Sequence, residues 1–241
     1  MRSNRLQLNA DKTEVIWCTS ARRQHQIPTA QCVVGNDVVA PVSSVRDLSI
    51  YLDSDLSMRT HVSKTVSACF ATLRQIRSIR RSVTRPVLQS LVAALTLTRL
   101  DYGCSTLAGL PARQLNRLQS VLNAAVRLIY SARKSEHVTP LLLELHWLRV
   151  PQRMEFRLAV IVHRCLNGVA PRYLACELQR VSDTESRRRL RSASTASLLV
   201  PRTHHRTIGD RRPFPSLQQR PGTACRRRLH HCGVCLNSVE H

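Results

Sequence analysis

The hydrophobic pattern of this chain changes its period near residue 57, and that change divides the expected fold. Before it, short apolar runs alternate with turn residues, as they do in strands. Over residues 61–82, apolar side chains recur every three or four positions, which predicts an amphipathic helix. The expected buried face of this helix consists of Val62, Val66, Cys69, Leu73 and Ile76. The pattern therefore predicts an α+β fold that is mainly α.

The β part is expected to contain three short segments. Residues 14–19 form a strand candidate, and residues 30–39 form a hairpin whose turn is Gly-Asn-Asp. Residues 45–52 are predicted to form one further strand, which an Asp-Ser-Asp sequence ends. Such a small β region needs additional partners to be stable.

Prolines mark the starts of the later helices, because proline fits the first helical turn and disfavours the interior. The expected first turns contain Pro86, Pro111, Pro140, Pro151 and Pro171. The helix at Pro86 is predicted to run to residue 98 or 99, and Gly168 to close the helix at Pro151. The helix that begins at Pro171 is expected to end near residue 179.

The charge is strongly positive: 37 Lys plus Arg against 15 Asp plus Glu give a formal net charge of +22. Such a balance is typical of proteins that bind nucleic acid. Arginine-rich translation of G+C-rich DNA is the alternative explanation. Arg74, Arg77 and Arg81 share one face of the predicted helix and could follow a phosphate backbone. A merely solvated helix face is the competing interpretation.

Membrane and secretory signals are not apparent in this sequence, and no membrane partner or small-molecule substrate is expected. Six cysteines lie singly among apolar neighbours, which favours reduced core residues of an intracellular protein. They are Cys18, Cys32, Cys69, Cys104, Cys165 and Cys176.

Two groups of residues could carry metal chemistry, and neither is predicted to do so. Asp53 and Asp55 could point to one side of a strand, but their sequence favours capping of the following helix. Cysteines and histidines at positions 225–235 have a zinc-like composition without the expected spacing of a first ligand pair. We therefore expect no catalytic residue, no metal site and no cofactor in this chain.

Several segments together resemble the reverse transcriptases of LINE-type, non-LTR retrotransposons, near the Jockey and chicken-repeat clades. Residues 6–17, Leu-Gln-Leu-Asn-Ala-Asp-Lys-Thr-Glu-Val-Ile-Trp, and residues 45–58 are similar to the end of the polymerase palm. Later blocks resemble the helical thumb and the region after the thumb. These lie at residues 57–62, 73–79, 100–103, 118–124, 146–150, 156–158 and 165–174. The similarity covers about residues 5–214.

The resemblance implies an RNA-directed DNA polymerase ancestor that uses magnesium and binds an RNA–DNA template–primer duplex. Lys12 matches a palm lysine near the incoming nucleotide, where a cation stabilises the leaving group. Residues 45–52 match the primer-grip strand pair, although Ser49 stands where the family usually has glycine. The family's catalytic aspartates belong before residue 6. We therefore expect a truncated remnant that is inactive alone but retains some nucleic-acid binding.

Four parts are expected along the chain. Residues 1–56 are predicted to be a palm remnant, 57–135 a thumb-like helical bundle and 136–180 a small helical unit. Residues 181–241, with 12 arginines and 4 acidic residues, are predicted to be a disordered basic tail. From about residue 216 the tail departs from the family, and a one-base shift of plausible codons restores the family's Trp-Asn-Ser-Leu. This segment is therefore hypothesised to be frameshifted.

Two alternatives remain open. The chain could be a domesticated helical module that binds nucleic acid, which a steep salt dependence of duplex binding would distinguish from generic polycation behaviour. It could instead be an incorrect gene model of a full-length, active element. An open reading frame for an aromatic-Ala-Asp-Asp motif in the DNA upstream of Met1 would support that alternative.

Overall fold

The computed structural model describes residues 9, 12–34, 37–176, 178, 180, 198 and 235–237. These residues form two compact units. The first ends at His61 and includes a strand at Cys235–Asn237, and the second begins at Val62. Most of the described regular structure is helical, and the strands form two-stranded antiparallel ladders. The prediction of an α+β fold, mainly α, is confirmed at this level.

The first unit is built from short strands. They are β1 (Glu14–Ile16), β2 (Cys32–Val34), β3 (Asp37–Val39), β4 (Ser44–Asp47), β5 (Ile50–Asp53) and β6 (Cys235–Asn237). β1 pairs with β6, β2 with β3, and β4 with β5. The strand candidate at residues 14–19 and the hairpin at residues 30–39 are confirmed, with shorter strands than expected. Asp37 belongs to β3 rather than to the turn, and residues 35 and 36 lie outside the described part.

The prediction of one continuous strand over residues 45–52 is wrong. Asp47 pairs with Ile50, so Leu48 and Ser49 form a two-residue turn between β4 and β5. Both have left-handed backbones, with φ of 43° for Leu48 and 65° for Ser49. Two positive φ angles are what a tight type I′ hairpin turn requires. Apolar residues lie on both sides of this turn and Leu48 lies within it, which conceals the turn in the sequence.

Helices make up the second unit, apart from the first residues of α1, which precede Val62. They are α1 (Arg59–Ile79), α2 (Arg85–Val92), α3 (Thr98–Asp101), α4 (Ala112–Tyr130), α5 (Thr139–Glu144), α6 (Val150–Leu166) and α7 (Arg172–Ala175). A π-helical turn, Ala93–Leu97, joins α2 to α3, and a 3-10 turn, Arg80–Ser82, follows α1. Because the π turn continues the helical run, it ends at Asp101, beyond the predicted residue 98 or 99.

The helical core follows the predicted periodicity. All five apolar residues expected on the inner face of α1 are buried. The core-facing side of α4 is formed by Leu118, Val121, Leu122, Ala125, Val126 and Ile129, all at most 4% exposed. The predicted proline-led starts are confirmed for α2, α4, α5, α6 and α7.

Polar contacts connect the first three helical segments of this unit. The Cys69 thiol of α1 lies 3.9 Å from the carbonyl oxygen of Thr96, and Arg99 donates to the Thr72 hydroxyl. Arg117 of α4 donates to Ser63 of α1.

The predicted division into four parts stays a prediction. Most of the predicted tail, residues 181–241, lies outside the described residues, but Cys235–Asn237 is a strand rather than disordered chain.

Candidate nucleic-acid interface

Arg74, Arg77 and Arg81 form an exposed set, here called the basic face. Arg74 and Arg77 lie on α1, and Arg81 lies in the 3-10 turn that follows it. Because the opposite face of α1 is buried, the three side chains are directed to solvent. Seven residues of helix rise about 10 Å, the axial length of about three phosphates on one nucleic-acid strand. All three are exposed, but Arg81 lies beyond the end of α1, so the prediction of one helix face is confirmed only for Arg74 and Arg77.

Several other arginines of the second unit have structural partners. The guanidinium of Arg80 donates to Ser131 at the end of α4. Arg85 lies 3.8 Å from the ring centroid of Tyr130 and pairs with Glu144 at 2.8 Å. Arg74, Arg77 and Arg81 make no hydrogen bond or ion pair with any residue that the structure describes. Among the described residues, nothing competes with an external anion for these three guanidinium groups.

Asp101 anchors two further arginines and fixes the end of α3 against α6. Its Oδ1 accepts a hydrogen bond from Arg153 Nε at 2.8 Å, and its Oδ2 accepts from Arg157 Nη2 at 2.8 Å and also from Arg153. The Asp101 side chain is 9% exposed, so these bonds satisfy a carboxylate that would be costly to bury alone. The sequence predicts a helix end at Asp101 but not this cluster, because both arginines lie more than 50 residues after Asp101.

Lys12 belongs to the first unit and is exposed. Its backbone N–H donates to the Asn9 carbonyl at 3.2 Å, and the neighbouring Thr13 is buried. The basic face lies in the second unit, whereas Lys12 lies in the first. Its assignment as a palm lysine stays a prediction.

Asp53 and Asp55 act in the turn before α1, as the capping interpretation predicted. Asp53 Oδ2 accepts from the Thr60 backbone N–H at 3.1 Å and from the Ser57 hydroxyl at 3.2 Å. Asp55 accepts from the Ser57 backbone N–H at 2.9 Å and pairs with Arg59 at 3.0 Å. Burial opposes ionisation of Asp55, but the bonds from Ser57 and the charge of Arg59 hold its pKa below the usual value.

Burial also controls three other titratable groups. Burial raises the pKa of the Cys69 and Cys104 thiols to about 11. Burial lowers the pKa of His61, and the negative charge of Asp53 opposes this shift. Cys69, Cys104 and Cys165 are buried, as expected for core cysteines. Cys18 and Cys32 are half-buried, and the prediction for Cys176 is wrong because it is exposed at the end of α7.

Metal ligands do not gather in groups of three among the described residues. Within the zinc-like set at residues 225–235, only Cys235 is described, and it lies in β6; the others are outside the described residues, as is the start of the hypothesised frameshift. None of the described helices combines the length and the apolar content needed to cross a membrane.

A polar cavity of about 410 Å³ lies beside the C-terminal half of α4. Its walls include three cations, Arg127, Lys134 and Arg149. The sequence analysis did not predict it, because the walls come from three separate segments. The only local signal is a polar column on α4, formed by Gln119, Asn123 and Arg127 at intervals of four.

Comparisons with protein-family models, with curated proteins and with solved structures give no match for this chain.

Proposed function

We propose that the chain is part of a non-LTR retrotransposon reverse transcriptase, and that its helical unit binds nucleic acid through the basic face. The observation that carries the binding proposal is that three exposed arginines recur within residues 74–81 and no other described residue engages their side chains. Arg153 and Arg157 are committed to Asp101, whereas the three arginines of the basic face have no partner among the described residues. Guanidinium groups in this state bind phosphate oxygens well, since they are weakly hydrated and present paired donors.

The polymerase assignment has two kinds of support beyond the resemblance of the sequence blocks. The block at residues 100–103 contains Asp101, which fixes α3 against α6, and the block at residues 118–124 contributes to the core of α4. Ser49 stands where the family usually has glycine, and it adopts the left-handed backbone that glycine favours. The first unit is proposed to correspond to the end of a palm, and the helices from α1 to α4 to a thumb.

Catalysis is not proposed for this chain alone. Asp53 and Asp55 are engaged in the turn before α1, where they bond to Ser57, Arg59 and Thr60. A primer-extension assay with magnesium should therefore give no product with the purified chain. Incorporation of nucleotides above a protein-free control would contradict this part of the proposal.

The binding proposal is tested by titrating an RNA–DNA duplex at about 50 and 200 mM salt. The triple variant Arg74→Gln, Arg77→Gln, Arg81→Gln should bind more weakly. Its log–log salt slope should fall by about 2 to 3, because each lost phosphate contact removes about one unit. The chain offers a matched control in Arg113→Gln, Arg164→Gln, Arg172→Gln. These three arginines are also exposed in the helical unit, so the control removes the same charge.

The control separates local binding from the effect of total charge. If both triple variants lose the same affinity and slope, binding is generic polycation behaviour, and the basic-face proposal fails. If only the basic-face variant loses them, the face is a binding surface. The domesticated-module alternative also predicts a steep salt slope of duplex binding for wild type and a lower slope for the basic-face variant. The observation that supports this alternative is the same lack of partners for the basic face among the described residues.

A further inference from the structure

Residues of the helical unit form the walls of the cavity beside α4, which is open to solvent. Its walls come from α4, from the connection at residues 131–138, and from the segment at residues 138–149. The apolar residues of the lining are Val138 and Leu142, and the other lining residues are polar or charged. A volume of about 410 Å³ is within the range of pockets that hold small organic ligands.

The hydrogen bonds of Gln119 and Asn123 on α4 leave the Asn123 amide N–H groups without an acceptor among the described residues. The Val150 backbone N–H can only donate, and it donates to Gln119 Oε1 at 2.9 Å. Gln119 must therefore use its Nε2 group as the donor to Asn123 Oδ1, at 2.9 Å. The amide oxygen of Asn123 is thus an acceptor already in use. Its Nδ2 group makes no hydrogen bond to any described residue and is left to donate.

Arg127 supplies a second unused donor. Its Nη2 donates to the Glu136 carbonyl oxygen at 3.3 Å, which ties the guanidinium to the connection after α4. Its Nε is buried and has no hydrogen-bond partner among the described residues. A buried guanidinium N–H without a partner is costly, and Arg127 is one of the residues that line the cavity.

The charge of the lining is positive. Arg127, Lys134 and Arg149 provide three permanent cations, and Glu136 is the single carboxylate. Glu136 Oε1 already accepts the Arg133 backbone N–H at 2.7 Å. The walls therefore offer cations and donors in excess of acceptors. This composition suits a ligand that carries several acceptor oxygens and negative charge.

We propose that this cavity is a binding site for a phosphate group, carried either by a free nucleotide or by a nucleic-acid strand. Phosphate is an acceptor-only, multiply charged group, and arginine and lysine recognise it by paired donors and by charge. The volume exceeds that of a bare oxyanion and leaves room for the group to which the phosphate is attached. The site is separate from the basic face and does not require that face to bind nucleic acid.

The test uses the full chain and isothermal titration with five probes: inorganic phosphate, AMP, adenosine, and one oligonucleotide both with and without a 5′-phosphate. Ser135→Asp places a carboxylate in the cavity wall and removes no hydrogen bond between described residues. Ser105→Asp makes the same charge change at an exposed position outside the cavity and is the matched control. Lys134→Gln, at an exposed position, is a second variant whose folding should be unaffected.

AMP should bind to wild type and adenosine should not, because the phosphate is the recognised group. Ser135→Asp should weaken binding about tenfold or more through like-charge repulsion, Lys134→Gln should weaken it less, and Ser105→Asp should leave it unchanged. If AMP and inorganic phosphate bind, the source is a free phosphate compound. If only the 5′-phosphorylated oligonucleotide binds in a manner sensitive to Ser135→Asp, the source is a nucleic-acid end.

The proposal is overturned if no phosphate-bearing probe binds, or if Ser105→Asp weakens binding as much as Ser135→Asp. It is also overturned if adenosine and AMP bind equally. Failure of the basic-face proposal is distinguishable, since the triple variant at Arg74, Arg77 and Arg81 would then bind duplex as its control does. That result leaves the effect of Ser135→Asp on phosphate binding intact.

Discussion

The two units reach their structures by different means. In the helical unit, core residues recur at intervals of three and four along each helix, so each helix has an apolar face before it meets its neighbours. In the first unit, the ladders are three or four residues long, and Val33 and Val38 remain 73% and 60% exposed. Apolar periodicity alone therefore determines the helices, whereas the strands depend on turns, caps and pairings.

Polar anchoring also differs between the units. The helical unit buries a carboxylate at Asp101 and joins helices through Arg153 and Arg157. The first unit relies on Asp53 in the turn before α1 and on a hairpin whose turn residues both have positive φ. A residue with a side chain costs about 1–2 kcal/mol in that conformation. Replacing a residue with positive φ by glycine should therefore stabilise the hairpin of the first unit.

The largest expected effect is the loss of the Asp101 cluster. Asp101→Asn keeps the shape of the side chain but removes the charge that the two arginines share, and Arg153 is only 17% exposed. Removing one partner of such a buried pair leaves the other without compensation, so the free energy of unfolding should fall by about 3 kcal/mol. Urea denaturation followed by far-UV circular dichroism measures this loss.

The exposed pair of Arg85 and Glu144 provides the control, since both side chains are more than half exposed. Glu144→Gln should leave the free energy of unfolding close to that of wild type, because water and salt screen exposed pairs. Equal effects of Asp101→Asn and Glu144→Gln would mean that the buried cluster does not hold α3 against α6.

A smaller effect of opposite sign is expected at the turn between β4 and β5. Ser49→Gly removes the side chain from a residue with φ of 65°, so it should stabilise the hairpin by about 1 kcal/mol. The Ser49 hydroxyl accepts only a long, exposed bond from Arg46 at 3.4 Å, which contributes little. Hydrogen exchange of the amides of β4 and β5 measures the gain.

Ser49→Ala is the matched control, because it removes the same hydroxyl but keeps the Cβ atom that causes the strain. It should not increase protection of the hairpin amides. A gain with alanine equal to the gain with glycine would show that the hydroxyl, and not the backbone conformation, is responsible.

Prediction from the sequence succeeded where the determinants are local. The buried face of α1 and the proline-led starts follow from intervals within one helix, and the structure has them. The local pattern missed the turn at Leu48 and Ser49 because neither residue is the glycine, asparagine or aspartate that usually supplies positive φ in such a turn, whereas the resemblance implied two strands there. The turn is thus determined by the pairing of β4 with β5 and not by its own residues.

The candidate sites show the same division. The basic face was predicted because its three arginines recur at helical spacing, although Arg81 lies in the 3-10 turn that follows α1. The cavity was not, because it combines α4 with Lys134 and Arg149 from later segments, whose proximity depends on how α5 and α6 pack. Spacing along one helix reveals residues that share a face, but it does not reveal which segments meet.

The smallest expected effect concerns acid sensitivity of the first unit. His61 is 3% exposed, and its Nδ1 accepts the Tyr51 backbone N–H at 3.4 Å, which requires the neutral ring. Burial lowers the pKa of His61 below its usual 6.5, so the unfolded chain takes up the proton more readily. Its contribution to stability is therefore complete above about pH 6.5 and is lost as the pH falls below that value. Hydrogen exchange of β5, corrected for the intrinsic pH dependence, should show protection decreasing between about pH 7 and pH 5.5, while α4 amides keep theirs.

His61→Gln removes the titrating ring and should abolish this pH dependence, even if it lowers protection at every pH. A β5 that loses protection equally in wild type and His61→Gln would place the acid-sensitive group elsewhere. A parallel loss in α4 would show that the two units respond to acid together, and the comparison between them would then fail for this property. Because Asp53 opposes the lowered pKa, removing its charge with Asp53→Asn should leave the onset of the loss unchanged but make the loss larger and extend it to a lower pH.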